Sequence, residues 1–419
     1  MNDLKNKKIA IIGLGYVGMP LAHAFSKKYS VVGFDTNKDR VNELKNGEDS
    51  TLELKKSQII KALNNNIIFT NNLQEIRDSD IYIITVQTPI DDNKKPDLTP
   101  LIDASKMIAK VLSKGNIVIY ESTVYPGATE EVCVPTLEKY SGLKFNQDFY
   151  CGYSPERINP GDKKHTTTKI VKITSGSTVE IGEKIDDLYK SIIEAGTYLA
   201  PSIKVAEASK VIENAQRDIN IAFMNELSII FNHLGINTNE VLKVARTKWN
   251  FKDFTPGLVG GHCISVDPYY LIYKAQEAGY KPEVLLSGRK MNEGMGVYVA
   301  KQVIKLMIKK GLPLLKSRVL ILGITFKENC PDIRNSKVIN IINELQDFGC
   351  EVDVIDPLAN KNQVKDEYGV TLKNNVRYDD YSAVILAVSH NEFKGIKLTN
   401  KQQVVFDIKS ILDSSDGGL

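Results

Sequence analysis

Short apolar runs rich in Ile and Val recur along the chain, separated by longer stretches with helical periodicity. That alternation is the pattern of strands buried on both faces of a parallel sheet with helices between them. Residues 8–13 (K-I-A-I-I-G) read as a strand, 19–28 as a helix, and 31–34 as a second strand ending on Asp35. Further strands are expected at 67–70, 80–86 and 116–121, with the sheet finishing around 171–177 and 197–199. From residue 203 the pattern changes, and some thirty residues pass without Pro or Gly. Apolar positions Val211, Ala215, Ile219, Ala222, Leu227 and Ile230 fall close to a 3.6-residue period, which predicts a long helix. Asn220 and Asn225 interrupt its apolar pattern, and a helix of this length bridges domains or forms a dimer seam. Residues 235–246 continue helically and 282–310 are helical again. A second strand-helix-strand unit follows at 318–322, 337–348 and 351–355, with more strands at 381–388 and 403–406. The expected class is α/β, with two Rossmann-like doubly wound domains joined by a long central helix. The boundaries are placed at 1–200, 201–310 and 311–419.

Composition narrows the picture. The chain has 419 residues, too many for one ordinary core, and is 42% hydrophobic and 25% charged, as soluble globular proteins are. A net charge of +3, from 54 basic and 51 acidic residues, gives no pull toward nucleic acid. Cysteines 133, 151, 263, 330 and 350 are odd in number and form no close pairs, which fits a reducing compartment and argues against a disulfide framework or zinc ribbon. The five histidines show no ligand spacing, so no metal is expected. Basic residues ahead of the apolar run 9–22 superficially resemble a signal peptide. That run carries Gly13, Gly15 and Gly18 at a functional spacing and is too short for a membrane span, so a cytoplasmic protein without membrane attachment is expected.

Five stretches carry candidate chemistry. Gly13-x-Gly15-x-x-Gly18, with Tyr16 and Val17 inside it, lies between a strand and a helix, and the following strand ends on Asp35. This is the dinucleotide fingerprint in context: a tight turn, a close backbone approach to pyrophosphate, and a helix start facing the phosphates. Asp35 accepts ribose hydroxyls and repels a 2′-phosphate, which favours NAD; Arg40 nearby weakens that preference slightly. Thr88 (Q-T-P) and Thr123 (E-S-T-V-Y-P-G) follow strands at the sheet edge where cofactors sit, although Thr-Pro and Pro-Gly are also ordinary breakers. Glu156 occupies a Pro-bounded loop, where a glutamate is usually just solvated. Finally, G-L-V-G-G-H-C-I-S-V-D-P-Y-Y-L (257–271) sets Cys263 among glycines with Asp267 four residues on. Such a thiol is either a packed small hydrophobe or a nucleophile approached through an unobstructed backbone.

Taken together, G-L-G-Y-V-G, Q-T-P, E-S-T-V-Y-P-G, S-P-E-R-I-N-P-G, Lys210 and Asn214 on one helix face, G-G-H-C-I-S-V-D-P-Y-Y-L, and F-K with D-I-R-N-S resemble the nucleotide-sugar 6-dehydrogenases over essentially the whole chain. Ser265-Val266-Asp267 stands where UDP-glucose enzymes carry Pro-Lys-Asp. That points to the branch acting on UDP-N-acetylhexosamines, UDP-N-acetylglucosamine or its galacto epimer, in bacterial surface polysaccharide synthesis (capsule, lipopolysaccharide O-antigen or exopolysaccharide). The resemblance implies an N-terminal NAD-binding domain, a central dimerisation and active-site domain, and a C-terminal UDP-sugar-binding domain. It implies a four-electron oxidation of the C6 hydroxyl to the uronic acid, through a thiohemiacetal and a thioester on Cys263. Lys210 and Asn214 would stabilise the oxyanion, Asp267 and Thr123 would handle an ordered water and the substrate hydroxyl, and Glu156 would activate the hydrolytic water. Arg334 would reach cofactor phosphates, while Lys327, Arg157, Gly260 and Arg246 would contact substrate, Arg246 from a neighbouring subunit of a homodimer or higher homo-oligomer. Cys133, Cys151, Cys330 and Cys350 are expected to be packed thiols. The rivals are a UDP-N-acetylmannosamine or UDP-glucose enzyme, a two-electron hydroxyacid dehydrogenase that needs no thiol, and a non-enzymatic NAD sensor.

Overall fold

The computed structural model describes residues 6–65, 67–91, 93–157 and 166–419. The chain divides into two compact units, Met1–Glu213 with Tyr269–Ala278, and Asn214–Pro268 with Gly279–Leu419.

The first unit is built on six parallel strands: β1 (Lys8–Ile12), β2 (Ser30–Phe34), β3 (Ile67–Thr70), β4 (Ile81–Ile84), β5 (Ile117–Tyr120) and β6 (Tyr150–Tyr153). Their order is β3-β2-β1-β4-β5-β6, the doubly wound arrangement whose direction reverses between β1 and β4. The I-Y-I-I and I-V-I-Y runs of β4 and β5 are buried at every position, because helices cover both faces of the sheet. Ile9, Ile11, Phe25, Val31, Phe69, Ile83 and Ile119 form its core.

One expectation is corrected here. Residues 171–177 and 197–199 do not complete the large sheet. β7 (Lys172–Thr174) and β8 (Thr197–Leu199) pair only with each other, as a separate parallel ribbon. The edge position is already taken by β6, which meets Gly176 through a single antiparallel bridge at Gly152.

The long helix runs Ile203–Leu234, 32 residues and about 48 Å. The division between units falls within it, between Glu213 and Asn214. Val211, Ala215 and Ala222 are buried as the periodicity predicts, whereas Ile230 is 44% exposed.

The second unit carries five parallel strands: β9 (Arg318–Leu322), β10 (Glu351–Ile355), β11 (Ala383–Leu386), β12 (Val404–Asp407) and β13 (Gly417–Gly418), in the order β10-β9-β11-β12-β13. Helices Glu283–Lys309 and Val338–Asp347 pack on it through Met295, Val299, Val303, Ile341 and Leu345. No helix among the described residues is long and apolar enough to cross a membrane.

Two glycines of the first turn make separable predictions. A Cβ on Gly18 would overlap the carbonyl oxygen of Gly13 and crowd Thr85, whereas one on Gly15 meets nothing within 4 Å. Gly18→Ala should lower stability by about 1–3 kcal/mol or more. Gly15→Ala should melt as the wild type does and yet bind NAD more weakly, as read by calorimetric titration.

Candidate active site

β1 runs into Gly13, whose φ of +93° turns the chain toward the helix Gly18–Ser26. The turn is held from several sides. The Thr85 hydroxyl donates to Gly13 O at 2.7 Å, and the Leu14 N–H donates to Asp35 Oδ2 at 2.8 Å. Asp35 also accepts from the Asn37 N–H at 2.9 Å, so the acid at the end of β2 is oriented by the backbone on both oxygens. Gly15 is exposed, with Tyr16 and Val17 half-buried beside it. These residues fit a dinucleotide: an open backbone at a helix start, next to a fixed carboxylate. Arg40 lies behind the turn. Its Nε donates to Leu14 O at 2.9 Å, and its other donors go to Glu43, Ser50 and Asp49, so four of its five N–H groups are committed within the fold.

Thr88 and Thr123 are brought together, the Thr88 hydroxyl donating to Thr123 O at 2.7 Å. Buried Tyr270, from the helix Asp267–Glu277, reaches the same corner and its hydroxyl bonds Thr88 O at 2.9 Å and Pro89 O at 3.1 Å. The turn after Thr123 is capped by Glu207, which accepts from the N–H groups of Gly127 and Thr129. Burial pushes the Glu207 carboxyl up to about 7, against these bonds.

Glu156 is not a solvated loop residue, as a Pro-bounded loop suggests. It is 8% exposed, with Oε2 at 2.8 Å from Lys172 Nζ. Lys172 also meets Glu121 Oε2 at 2.7 Å, and Glu121 accepts from the Tyr189 hydroxyl. Burial would lower the Lys172 ammonium, but the two carboxylates outweigh it and its pKa is raised. Burial raises Glu121, against the attraction of Lys172. Arg157 pairs with Glu213 on the long helix. Residues 158–161 of the S-P-E-R-I-N-P-G stretch lie outside the described residues.

Lys210 and Asn214, both buried, stand one turn apart on the long helix. Within the second unit, the Asn214 amide donates to the Asp267 carboxylate and accepts from Arg217. Asp267 begins the helix Asp267–Glu277, and its N–H donates to Cys263 O at 2.8 Å. Asn214, Asp267 and Cys263 are therefore assembled together. Cys263 is partly exposed, while the other four cysteines are buried. Burial pushes Cys133 up to about 12 and raises Cys151, Cys330 and Cys350, consistent with packed thiols.

Gly260 and Gly261 are needed because the Asn335 backbone and the Phe326 ring come close. A Cβ on Gly260 would sit 2.8 Å from Asn335 O, and one on Gly261 (φ +79°) 2.8 Å from the Phe326 ring. The Gly261 N–H donates to Arg334 O at 3.2 Å, and Gly261 O accepts from Asn335 Nδ2 at 3.0 Å. Leu258, Gly260, Phe326, Lys327, Lys337 and Lys409 line a shallow cleft. Its loop is braced from behind by His390. The imidazole Nδ1 accepts from the Asn329 N–H at 3.0 Å, which leaves Nε2–H for Asp356 Oδ2 at 3.1 Å or Thr325 Oγ1 at 2.9 Å. Despite burial, that His390 bond and the backbone donors hold Asp356 down at about 2. The Arg334 guanidinium forks onto Asp332, with Nε at 3.0 and 3.1 Å from its two oxygens. Arg246 is exposed and paired with Asp253 at 2.6 Å.

The NAD-binding, central and UDP-binding domains of the UDP-glucose/GDP-mannose dehydrogenase family match residues 7–193, 204–294 and 320–414. The chain belongs to this family of NAD-dependent nucleotide-sugar dehydrogenases. It is 56% identical over 422 residues to the UDP-N-acetyl-D-glucosamine 6-dehydrogenase of Pseudomonas aeruginosa, covering 99% of this chain and 100% of that one. It is 56% identical over 418 residues to the Salmonella typhi protein of the same name, covering 98% of each. The solved structure of a UDP-D-ManNAc dehydrogenase from Pyrococcus horikoshii superposes with a TM-score of 0.89 at 28% identity, covering 98% of both chains.

Motif spacing marked Cys263, Asp267, Lys210 and Asn214, but not Lys172, Glu121, Tyr270 or His390. Each of these acts through a partner distant in sequence. Lys172→Met should leave two buried carboxylates facing each other and lower the stability of the chain by about 3–5 kcal/mol in denaturant unfolding. Lys172→Arg, which keeps the charge, should lose less.

Proposed function

We propose that the protein oxidises C6 of UDP-N-acetyl-D-glucosamine to the uronate in a four-electron reaction with Cys263 as the nucleophile. The observation that carries this reading is the placement of Cys263. It is a partly exposed thiol at the N-terminal turn of a helix whose first carboxylate, Asp267, is bonded to Asn214. Thiolate is both a strong nucleophile and a good leaving group, which suits an acyl intermediate that must later be released.

The nucleotide binds in the cleft of the second unit, where Lys327 and Lys409 place positive charge beside a diphosphate, while Lys337 is paired with Glu293 at 2.6 Å. The glycine turn Gly13–Gly18 and Asp35 would hold NAD⁺, which would supply the hydride acceptor for each of two oxidations, so that two are consumed per sugar. In the first, the C6 alcohol loses a hydride and a proton to become the aldehyde. The Cys263 thiolate adds to that carbonyl, forming a thiohemiacetal. Loss of a second hydride leaves a thioester, which water cleaves to the carboxylate and the free thiol. Lys210 and Asn214 stabilise the tetrahedral oxyanion, the task of preorganised donors. Asp267 and Thr123 handle the substrate hydroxyl proton and an ordered water, and Glu156, anchored on Lys172, activates the hydrolytic water.

Arg157 and Gly260 are assigned to the sugar, and Arg334 and Arg40 to support of the cofactor. Support for the gluco configuration comes from the relatives named for that sugar, at twice the identity shared with the ManNAc structure. Ile212, Phe223, Ile230 and Leu234 form an exposed apolar stripe at 11-, 7- and 4-residue spacings along one face of the long helix. That stripe suits pairing with a second copy of the chain, through which Arg246 would serve the neighbouring subunit. The uronate would feed a surface-polysaccharide glycosyltransferase, the fate the family resemblance implies.

The test is NADH formed per sugar under limiting substrate, with UDP-N-acetylglucosamine, its galacto and manno epimers, and UDP-glucose. Two NADH per UDP-N-acetylglucosamine and little from UDP-glucose is the expected result. Cys263→Ser should abolish the second equivalent. One NADH per sugar with wild-type enzyme would overturn the thioester route.

A further inference from the structure

Asn225 lies on the long helix and is 0% exposed. Its carboxamide meets the backbone of Gly257 on both sides. Nδ2 donates to Gly257 O at 3.1 Å, and Oδ1 accepts from the Gly257 N–H at 2.8 Å. Nδ2 also donates to Asn292 Oδ1 at 2.8 Å. The Asn292 amide donates in turn to Asp218 O at 2.9 Å and Asp218 Oδ1 at 2.7 Å, and Asp218 is ion-paired with the buried Arg289.

This chain of bonds has a fixed direction. The Asp218 oxygens can only accept, so Asn292 must turn its NH₂ toward them and its carbonyl toward Asn225. Asn225 must then present NH₂ to Asn292 and to Gly257 O, leaving Oδ1 for the Gly257 N–H. An aspartate at 225 would lack the donors, and a serine has one O–H for the two acceptors that Asn225 Nδ2 serves. No other described side chain bonds the two polar groups of Gly257.

Gly257 opens the loop that carries the thiol. At the far end, Gly261 is pinned by Asn335 and by Arg334 O. Leu258 and Gly260, between the two pins, line the cleft beside Phe326 and Lys327. We infer that Asn225 is a positioning residue: its side-chain amide sets the register of the 257–263 loop, and with it the placement of the cleft wall and of Cys263. The inference deepens the proposed function and rests on Cys263 being the nucleophile.

The test uses full-length Asn225→Asp and Asn225→Ser, with Asn292→Ala as a variant that removes only the backing of the amide. Each is assayed for kcat, for KM of both substrates, for the rate of Cys263 alkylation by iodoacetamide, and for thermal stability. The expected result is a kcat loss of about a hundredfold in Asn225→Asp, the scale of an ångström misplacement. KM for the UDP-sugar should rise, KM for NAD should stay within about twofold, and the alkylation rate should shift more than threefold. Asn292→Ala should fall between wild type and Asn225→Asp. If Asn225→Asp does not fold, Asn225→Ser carries the test. Variants that lose thermal stability but keep kcat, the UDP-sugar KM and the alkylation rate would reduce the amide to core satisfaction and overturn the inference. Failure of the nucleophile reading shows separately: Cys263→Ser would still yield two NADH per sugar.

Discussion

A glycine-rich loop has few side chains with which to lock itself, so much of what fixes it must come from outside. The segment that carries Cys263 is such a loop, with glycines at 257, 260 and 261. Its conformation rests on amides borrowed from elsewhere: Asn225 at one end, Asn335 at the other, and the N–H groups of Val266 and Asp267 on the Cys263 carbonyl. Gly260 and Gly261 are required because Phe326 and Asn335 approach too closely for a Cβ. The same absence of side chains that admits these partners leaves the thiol accessible. Hydrogen bonds to the loop backbone, together with the packing of Leu258 and the burial of Val259, therefore determine where Cys263 stands.

The first unit treats its glycine turn in a parallel way. Thr85, Asp35 and Arg40 each bond the backbone of Gly13 or Leu14, so the open surface at Gly15 is backed by committed polar groups. Glu156 is held by a different device, a buried ammonium shared between two carboxylates. Desolvating three charged groups is unfavourable unless the geometry compensates, and here each carboxylate lies within 2.8 Å of the Lys172 nitrogen. The arrangement fixes a carboxylate that would otherwise swing freely at a loop.

Much of this was legible before any coordinates. Strands buried on both faces announce themselves as continuous apolar runs, and β1, β2, β4 and β5 fall within a residue or two of where Ile and Val cluster. The long helix was equally plain, lacking any residue that could end it. The ribbon of β7 and β8 was misassigned because a short apolar strand carries no record of its partner. The burial of Glu156 is not legible in its own loop, because its partner Lys172 lies 16 residues away across a stretch without periodicity; only the family resemblance singles it out. Asn225 stood out only as a break in the apolar pattern. The reason for it lies 32 residues further on, in the backbone of a glycine, where no side-chain motif can point.

The central claim is that the sugar passes through a covalent bond to Cys263. The direct measurement is rapid acid quenching of the enzyme during turnover with UDP-N-acetylglucosamine and NAD⁺, followed by peptide mass spectrometry. The account predicts a hydroxylamine-sensitive adduct with the mass of the uronyl nucleotide, on the peptide containing Cys263 and on no other cysteine. A full burst of two NADH with every cysteine unmodified, or an adduct on another thiol, would contradict it.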